Sequence, residues 1–203
     1  MLQNYKFRNA LQLLACCAFI SLSGIMLSGC SKTFTSSQDA LQGQPAATQF
    51  FKTADDATKA VNSIYGNLRS YNNTAVAALC IESMGSDNVI KGSVASDATY
   101  FNQYDQLTVD PSENQLDGFW TAQYQNINLC NQVLDNVPAI DMDANLKARY
   151  LGESKFGRAY SYLRLERAFG NIPLVLKVPG TPEELNQDQS TPAVVWAAIE
   201  QYL

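Results

Sequence analysis

A mainly all-α fold, made of tetratricopeptide-like antiparallel helix pairs with long connecting loops, is what the sequence predicts. Three observations predict it. Apolar residues recur at i, i+3, i+4 and i+7 in several separate segments; Ser, Thr or Asp stands before these segments and Gly or Pro behind them; one short stretch, Ile172 to Val178, reads as extended.

The chain opens with a leader. Lys6 and Arg8 stand in Met1 to Asn9 without an acid, and Ala10 to Leu27 follows without a charge, the basic and apolar regions of a secretory signal. The apolar part is near the lower length limit for crossing a bilayer, so a retained anchor is the competing reading. Leu27-Ser28-Gly29-Cys30 resembles the bacterial lipobox, in which a diacylglycerol is joined to the cysteine and cleavage makes it the first mature residue. Residues 1–29 are therefore expected to be a lipoprotein signal peptide, with Cys30 the lipidation site. Each buried methylene contributes roughly 0.8 kcal/mol, so two or three acyl chains form a permanent tether. Residues 30–49, rich in Ser, Thr, Gln, Ala and Gly, read as a flexible spacer, and residues 50–203 as the folded part.

Within the folded part, Thr53 with Asp56 forms a capping box. Ala57, Ala60, Val61, Ile64, Tyr65 and Leu68 follow on one face, giving a helix from about Ala54 to Ser70. Thr74 to Met84 reads as a shorter helix. Gly85 to Asp110 has no sustained period and reads as an ordered surface loop. Ser112 is expected to cap a helix from Glu113 to Asn136, with Leu116, Trp120, Tyr124, Ile127, Cys130 and Leu134 along one face and Pro138 closing it. The next helix runs from behind Asp143 to Phe169, with Phe156, Ala159, Tyr160 and Leu163 at helical spacing and Gly170 at its end. A last helix begins at Ser190 or Thr191, has Pro192 in its first position, and turns Val195, Ala198, Ile199 and Tyr202 inward. Its apolar face still points inward at Leu203, and the sequence reads as the front part of a longer protein, truncated at its C-terminus.

Charge and composition exclude several functions. The leader holds two of the 14 basic residues and none of the 19 acidic ones, which leaves 12 against 19, a net −7. Polyanions are repelled on average, so nucleic acid is not an expected partner. Histidine is absent, which removes the usual zinc ligand and the usual near-neutral base. Of five cysteines, Cys16 and Cys17 leave with the leader and Cys30 takes the lipid. Cys80 and Cys130 remain, in apolar helical surroundings that favour two buried thiols over a disulfide. The acid pairs Asp55-Asp56, Asp141/Asp143 and Glu183-Glu184 fall at helix starts and read as caps, not as catalytic or calcium-binding groups. No catalytic residue, metal ligand or cofactor is expected.

Taken in order, the segments resemble the N-terminal portion of the SusD/RagB family of outer-membrane nutrient-binding lipoproteins of Bacteroidetes. The resemblance rests on Leu27 to Cys30, on "FKTADDATKAVNSIYGNLRSY" from Phe51, on Ser86-Asp87, on "FWTAQYQNINLCNQVLDNVP" from Phe119, and on "GESKFGRAYSYLRLERAFGNIPLV" from Gly152. It implies a helical protein that sits on a TonB-dependent, SusC-like transporter, captures a glycan or in some relatives a peptide, and breaks no bond. The location it implies is the cell outer membrane, by a lipid anchor and facing outward. Ser154 and Gly157 depart from the family pattern, and Gly157 weakens its helix by roughly 1 kcal/mol relative to alanine.

Sugar binding needs flat aromatic faces and groups that bond hydroxyls. Tyr100, Phe101 and Tyr104 beside Asn102 meet that need best, and in the family's starch-binding example this N-terminal region contributes to the ligand site. The same aromatics would equally serve to anchor the long loop. Trp120 falls on the inward face and reads as core. Arg158, Arg164 and Arg167 read as a solvated helix surface, the alternative being hydrogen bonds from Arg158 within the helix array. An envelope lipoprotein whose helix pairs organise protein partners without a small ligand is the alternative function.

Overall fold

The computed structural model describes residues 50–181 and 183–202; the leader, Cys30 and the spacer lie outside the described residues. From Phe51 onward the chain forms one compact unit. Helix α1 spans Ala54–Leu68, and its capping box is present: the Thr53 hydroxyl accepts from Asp56 N while Asp56 accepts from Thr53 N at 2.8 Å. Ala57, Ala60, Val61 and Ile64 are buried as expected, but Tyr65 is exposed. The expected second helix is broken. Helix α2, Tyr71–Thr74, stops at Ala75, whose backbone is not helical, and α3, Val76–Leu79, continues into a π turn at Cys80–Met84.

Helix α5, Asn114–Asn136, and helix α6, Ala144–Phe169, form the central hairpin, joined through a 3-10 turn at Val137–Ala139. Glu113, not Ser112, caps α5 by accepting from Gln115 N at 2.8 Å, while Ser112 bonds back to Asp110. Asp143 caps α6, and Gly170 ends it with φ 72°, a conformation an L side chain resists. Helix α1 lies over the hairpin. Thr58 meets the Tyr150 hydroxyl at 2.8 Å and Ile64 meets Gly157, so α1 and α6 run the same way. Helix α7, Pro192–Tyr202, packs on α6 with Val195, Ala198 and Ile199 buried.

The segment behind α6 begins with β1, Ile172–Pro173, which pairs antiparallel with β2, Gln189–Ser190. Side chains of the hairpin hold this segment by its backbone. The Tyr162 hydroxyl donates to Val175 O at 2.8 Å and accepts from Val175 N at 2.6 Å; Tyr124 donates to Pro173 O, and Asn131 to Val175 O. Arg158 donates to Asn131 and to Leu176 O at 2.7 and 2.8 Å.

The buried face of α6 matches the one apolar spacing indicates only at Ala159 and Leu163. Phe156 is 59% exposed and Tyr160 is also on the outside, while Ser154, Gly157, Arg158, Ser161 and Arg164 are buried. The reason is close approach: a Cβ on Gly157 would stand 3.3 Å from both Cys130 Sγ and Ile64 Cγ2, so only small residues fit where three helices meet. Gly157 thus exchanges helix propensity for packing. Buried Gln123, Asn126 and Asn131 on α5 face these positions, and Asn126 donates to Ser161 and to Gly157 O.

The solvated reading of the arginines is overturned for two of the three. Arg158 is 4% and Arg164 6% exposed. Arg164 donates to Glu82 at 2.6 Å and to both oxygens of Asn73 at 3.0 Å, and lies 4.8 Å from the Phe119 ring centroid. Arg158 keeps the structural role that was the alternative reading; of the three, Arg167 alone faces solvent. Cys80 and Cys130 are free and buried, and desolvation pushes both thiols up to about 12.

Candidate functional site

The stretch Gly85 to Asp110 is not wholly a loop: Tyr100–Asp105 forms a short helix, α4, and it carries all four candidate residues. One face of α4 is committed to the interior. Tyr104 is 4% exposed, packs with Cys80 and Met84, and gives its hydroxyl to Glu113, the residue that caps α5. Burial first, then the Glu113 carboxylate, raise its pKa, which keeps the phenol a donor at neutral pH. Tyr104 therefore has no face to offer a ligand, and its expected role in binding is corrected to that of an anchor.

Tyr100, Phe101 and Asn102 remain half-buried. The Tyr100 and Phe101 rings stand 4.6 Å apart at 32° and pack against the Cys80–Met84–Tyr104 cluster. Beside them lies a residue the sequence did not single out: Tyr71, first in α2, is 62% exposed. Burial, then Cys80, Tyr71, Glu113 and Asp97, raise the Tyr100 pKa, which places Tyr71 and Asp97 in its neighbourhood. Tyr71 belongs to no apolar period of its own, and an aromatic in a Ser-Tyr-Asn-Asn turn was the one available signal.

Helix α4 is set between two left-handed residues, Ala98 at φ 41° and Leu107 at φ 53°. Neither is glycine, and such positions cost on the order of 1–3 kcal/mol each and persist where the surroundings dictate them. Lys91 ties the preceding loop by donating to Ala95 O and Asp97 O. The outcome is a short, fixed shelf that keeps two aromatic rings and one side-chain amide partly exposed, which suits apolar ring faces and hydroxyls.

Trp120 packs against the core cluster that holds Ile127, as its reading as core expected, but it is not fully enclosed. It is half-buried, and it borders two surface clefts of about 430 and 460 Å³. Among the acids, Asp56 and Asp143 cap helices, and Glu184 accepts from Lys177 and Gly180 N. Among the described residues no group of three or more Cys, Asp or Glu converges to hold a metal ion, and no helix is long and apolar enough to cross a membrane.

The SusD-like family, described as starch-binding and associating with the outer membrane, matches residues 41–203. A SusD-like protein P2 of Formosa agariphila is 24% identical over 150 residues, 72% of this chain and 29% of that protein. A laminarin-binding SusD-like protein shares the fold with TM-score 0.65 and 29% identity, over 75% of this chain and 33% of its own. A surface glycan-binding protein A from Bacteroides fluxus aligns with TM-score 0.64 and 24% identity, over 74% of this chain and 32% of its own. The chain thus spans about a third of the length of these relatives. With four-fifths of its residues inside the family match and its helical architecture shared by these structures, the chain belongs to the SusD-like family.

Proposed function

We propose that the protein is a lipid-anchored, outer-membrane glycan-binding protein that captures an oligosaccharide or polysaccharide and delivers it to a TonB-dependent, SusC-like transporter. Binding, with no bond broken, is its task. The observation that carries the reading is the α4 shelf: Tyr100 and Phe101, tilted against each other and half-exposed beside Asn102, on the segment where the resemblance to starch-binding relatives implies ligand contact. The 29% identity to a laminarin-binding relative supports a neutral glucan as ligand.

Lipidation of Cys30 supplies the anchor in this reading, and the exposed Tyr71 extends the shelf. Retention of the full chain on immobilised laminarin and starch tests it, with Tyr100→Ala/Phe101→Ala/Asn102→Ala as the site variant and Tyr104 left in place to preserve the fold. Loss of retention in the variant is expected; unchanged retention removes the shelf from the site. Co-purification with a TonB-dependent transporter tests the delivery step, and a protein that stays alone in mild detergent refutes it. Failure of the parent protein to bind any polysaccharide would favour the scaffold alternative.

A further inference from the structure

The cleft walled by Trp120 and Tyr124 has the makings of a second site, distinct from the α4 shelf. It is about 430 Å³, within the range of small-molecule sites, and Ile127 forms part of its floor. Pro173, Val175, Pro179 and Leu185 also line it. The same indole also borders a cleft of about 460 Å³ with Phe169 and Leu116. Trp120 thus packs against the core and also borders both clefts.

Its orientation is nonetheless fixed. Phe169 meets the Trp120 ring edge-on, with centroids 5.0 Å apart at 85°, and Tyr124 lies 4.8 Å away at 42°. Tyr124 is itself held by its hydrogen bond to Pro173 O at 2.7 Å. The aromatic wall is therefore set before any ligand arrives, which spares the entropy of ordering it.

The polar side chains of the cleft are few. Glu184 lines it with one oxygen on Lys177 Nζ at 2.9 Å and the other on Gly180 N at 2.7 Å, an arrangement that holds its pKa low and leaves lone pairs for further donors. Asn128, exposed on α5, adds an amide that both donates and accepts. Apolar ring faces with a carboxylate and an amide at the edge match the two-sided chemistry of a sugar: C–H faces against the rings and hydroxyls to the polar groups. A negatively charged ligand would meet Glu184 and the acidic surplus of the chain.

We propose that the Trp120–Tyr124 cleft is a second glycan subsite that takes a neutral sugar ring, with Asn128 and Glu184 bonding its hydroxyls. This rests on the reading of the protein as a glycan binder, and the test separates the two. The chain has two tryptophans, so Trp196→Phe on α7 leaves Trp120 as the sole indole reporter. Titration of this variant of the chain with laminarihexaose or maltohexaose should shift Trp120 emission saturably. Asn128→Ala and Glu184→Gln, at the cleft edge, should each weaken that response about tenfold, while Tyr100→Ala/Phe101→Ala should leave it in place. Sulfated carrageenan should give no shift.

If affinity electrophoresis shows glycan binding while Trp120 emission never moves, the subsite is overturned and the shelf reading stands. An unaltered response in both edge variants, or an equal response to carrageenan, overturns the assignment of residues or of ligand class. Absence of any glycan binding overturns both readings together.

Discussion

Replacing Arg164 by methionine would test how the buried polar network holds three separate elements together. Arg164 on α6 bonds Asn73 on α2 through both of its oxygens and Glu82 in the π turn, and its guanidinium lies over Phe119 on α5. Methionine keeps the apolar stem and removes all three bonds. Asn73 Oδ1 still receives Gln123, but Asn73 O loses its guanidinium donor in the interior, a loss of about 1–3 kcal/mol. The ring contacts with Phe119 and Tyr160 add about 0.5–2 kcal/mol. Glu82 is 37% exposed, so its released carboxylate turns to water at little cost and the ion pair itself counts for little. Relief of the arginine's own desolvation works the other way. The expected net loss is about 2–4 kcal/mol, a fall in Tm of roughly 5–15 °C for a domain of this size.

Thermal unfolding by circular dichroism, with urea titration as a second measure, would read this directly. Arg164→Lys, which can satisfy only part of the network, should lie between Arg164→Met and the parent, and Glu82→Gln should fall by about 1 kcal/mol or less. An Arg164→Met protein melting within about 2 °C of the parent would refute the reasoning, because the apolar side chain would then replace the network without loss.

Three further outcomes are expected. Gly157→Leu should lower stability by about 1–3 kcal/mol despite the roughly 1 kcal/mol gain in helix propensity, since Cys130 and Ile64 leave no room; equal stability in urea would show that the helices can part. The Thr53 hydroxyl first, then backbone N–H groups of Thr53 and Lys52, lower the Asp56 pKa from 3.8, so the cap's contribution is present above that value and lost as pH falls through the folded pKa. The stability gap between the parent and Asp56→Asn should accordingly hold at neutral pH and close below pH 3.8, and a gap that persists in acid would contradict it. Thiol labelling followed by peptide mass analysis should find Cys80 and Cys130 unreactive in the native protein at pH 8 and fully reactive in denaturant, with no change under reductant; fast native labelling would contradict their burial and raised pKa.

The helices were legible because their signals are local. Thr53 with Asp56, Asp143 before Ala144, and Gly170 before Pro173 act within one turn of chain, and α1, α5, α6 and α7 begin or end where such signals stand, to within a residue or two. Ala57, Ala60, Val61 and Ile64 likewise face inward because a strong apolar period leaves a helix one face to bury. The same logic held only in part on α6, where Ala159 is buried and Leu163 packs on the core. There Ser154, Gly157 and Ser161 turn inward in place of Phe156 and Tyr160, because the interaxial space left by α1 and α5 admits only small side chains.

The candidate site was legible as a composition and not as a geometry. Four residues of one stretch carried the right chemistry, but the sequence does not say which of two neighbouring tyrosines points in. Tyr104 turned to Glu113, nine residues away, while Tyr71, from another helix, came to stand near Tyr100.

The sequence by itself determined the helical class, the helix termini, the acidic charge and the membership of the family, since each depends on residue identity and short-range spacing. Tertiary structure alone decided that Arg158 and Arg164 are interior, that Trp120 borders two clefts, and that Tyr104 is an anchor. These depend on which distant groups meet. A buried guanidinium is tolerated only when Asn73, Asn131 and Leu176 supply oxygens at the right place, and those partners come from elements up to 91 residues away along the chain.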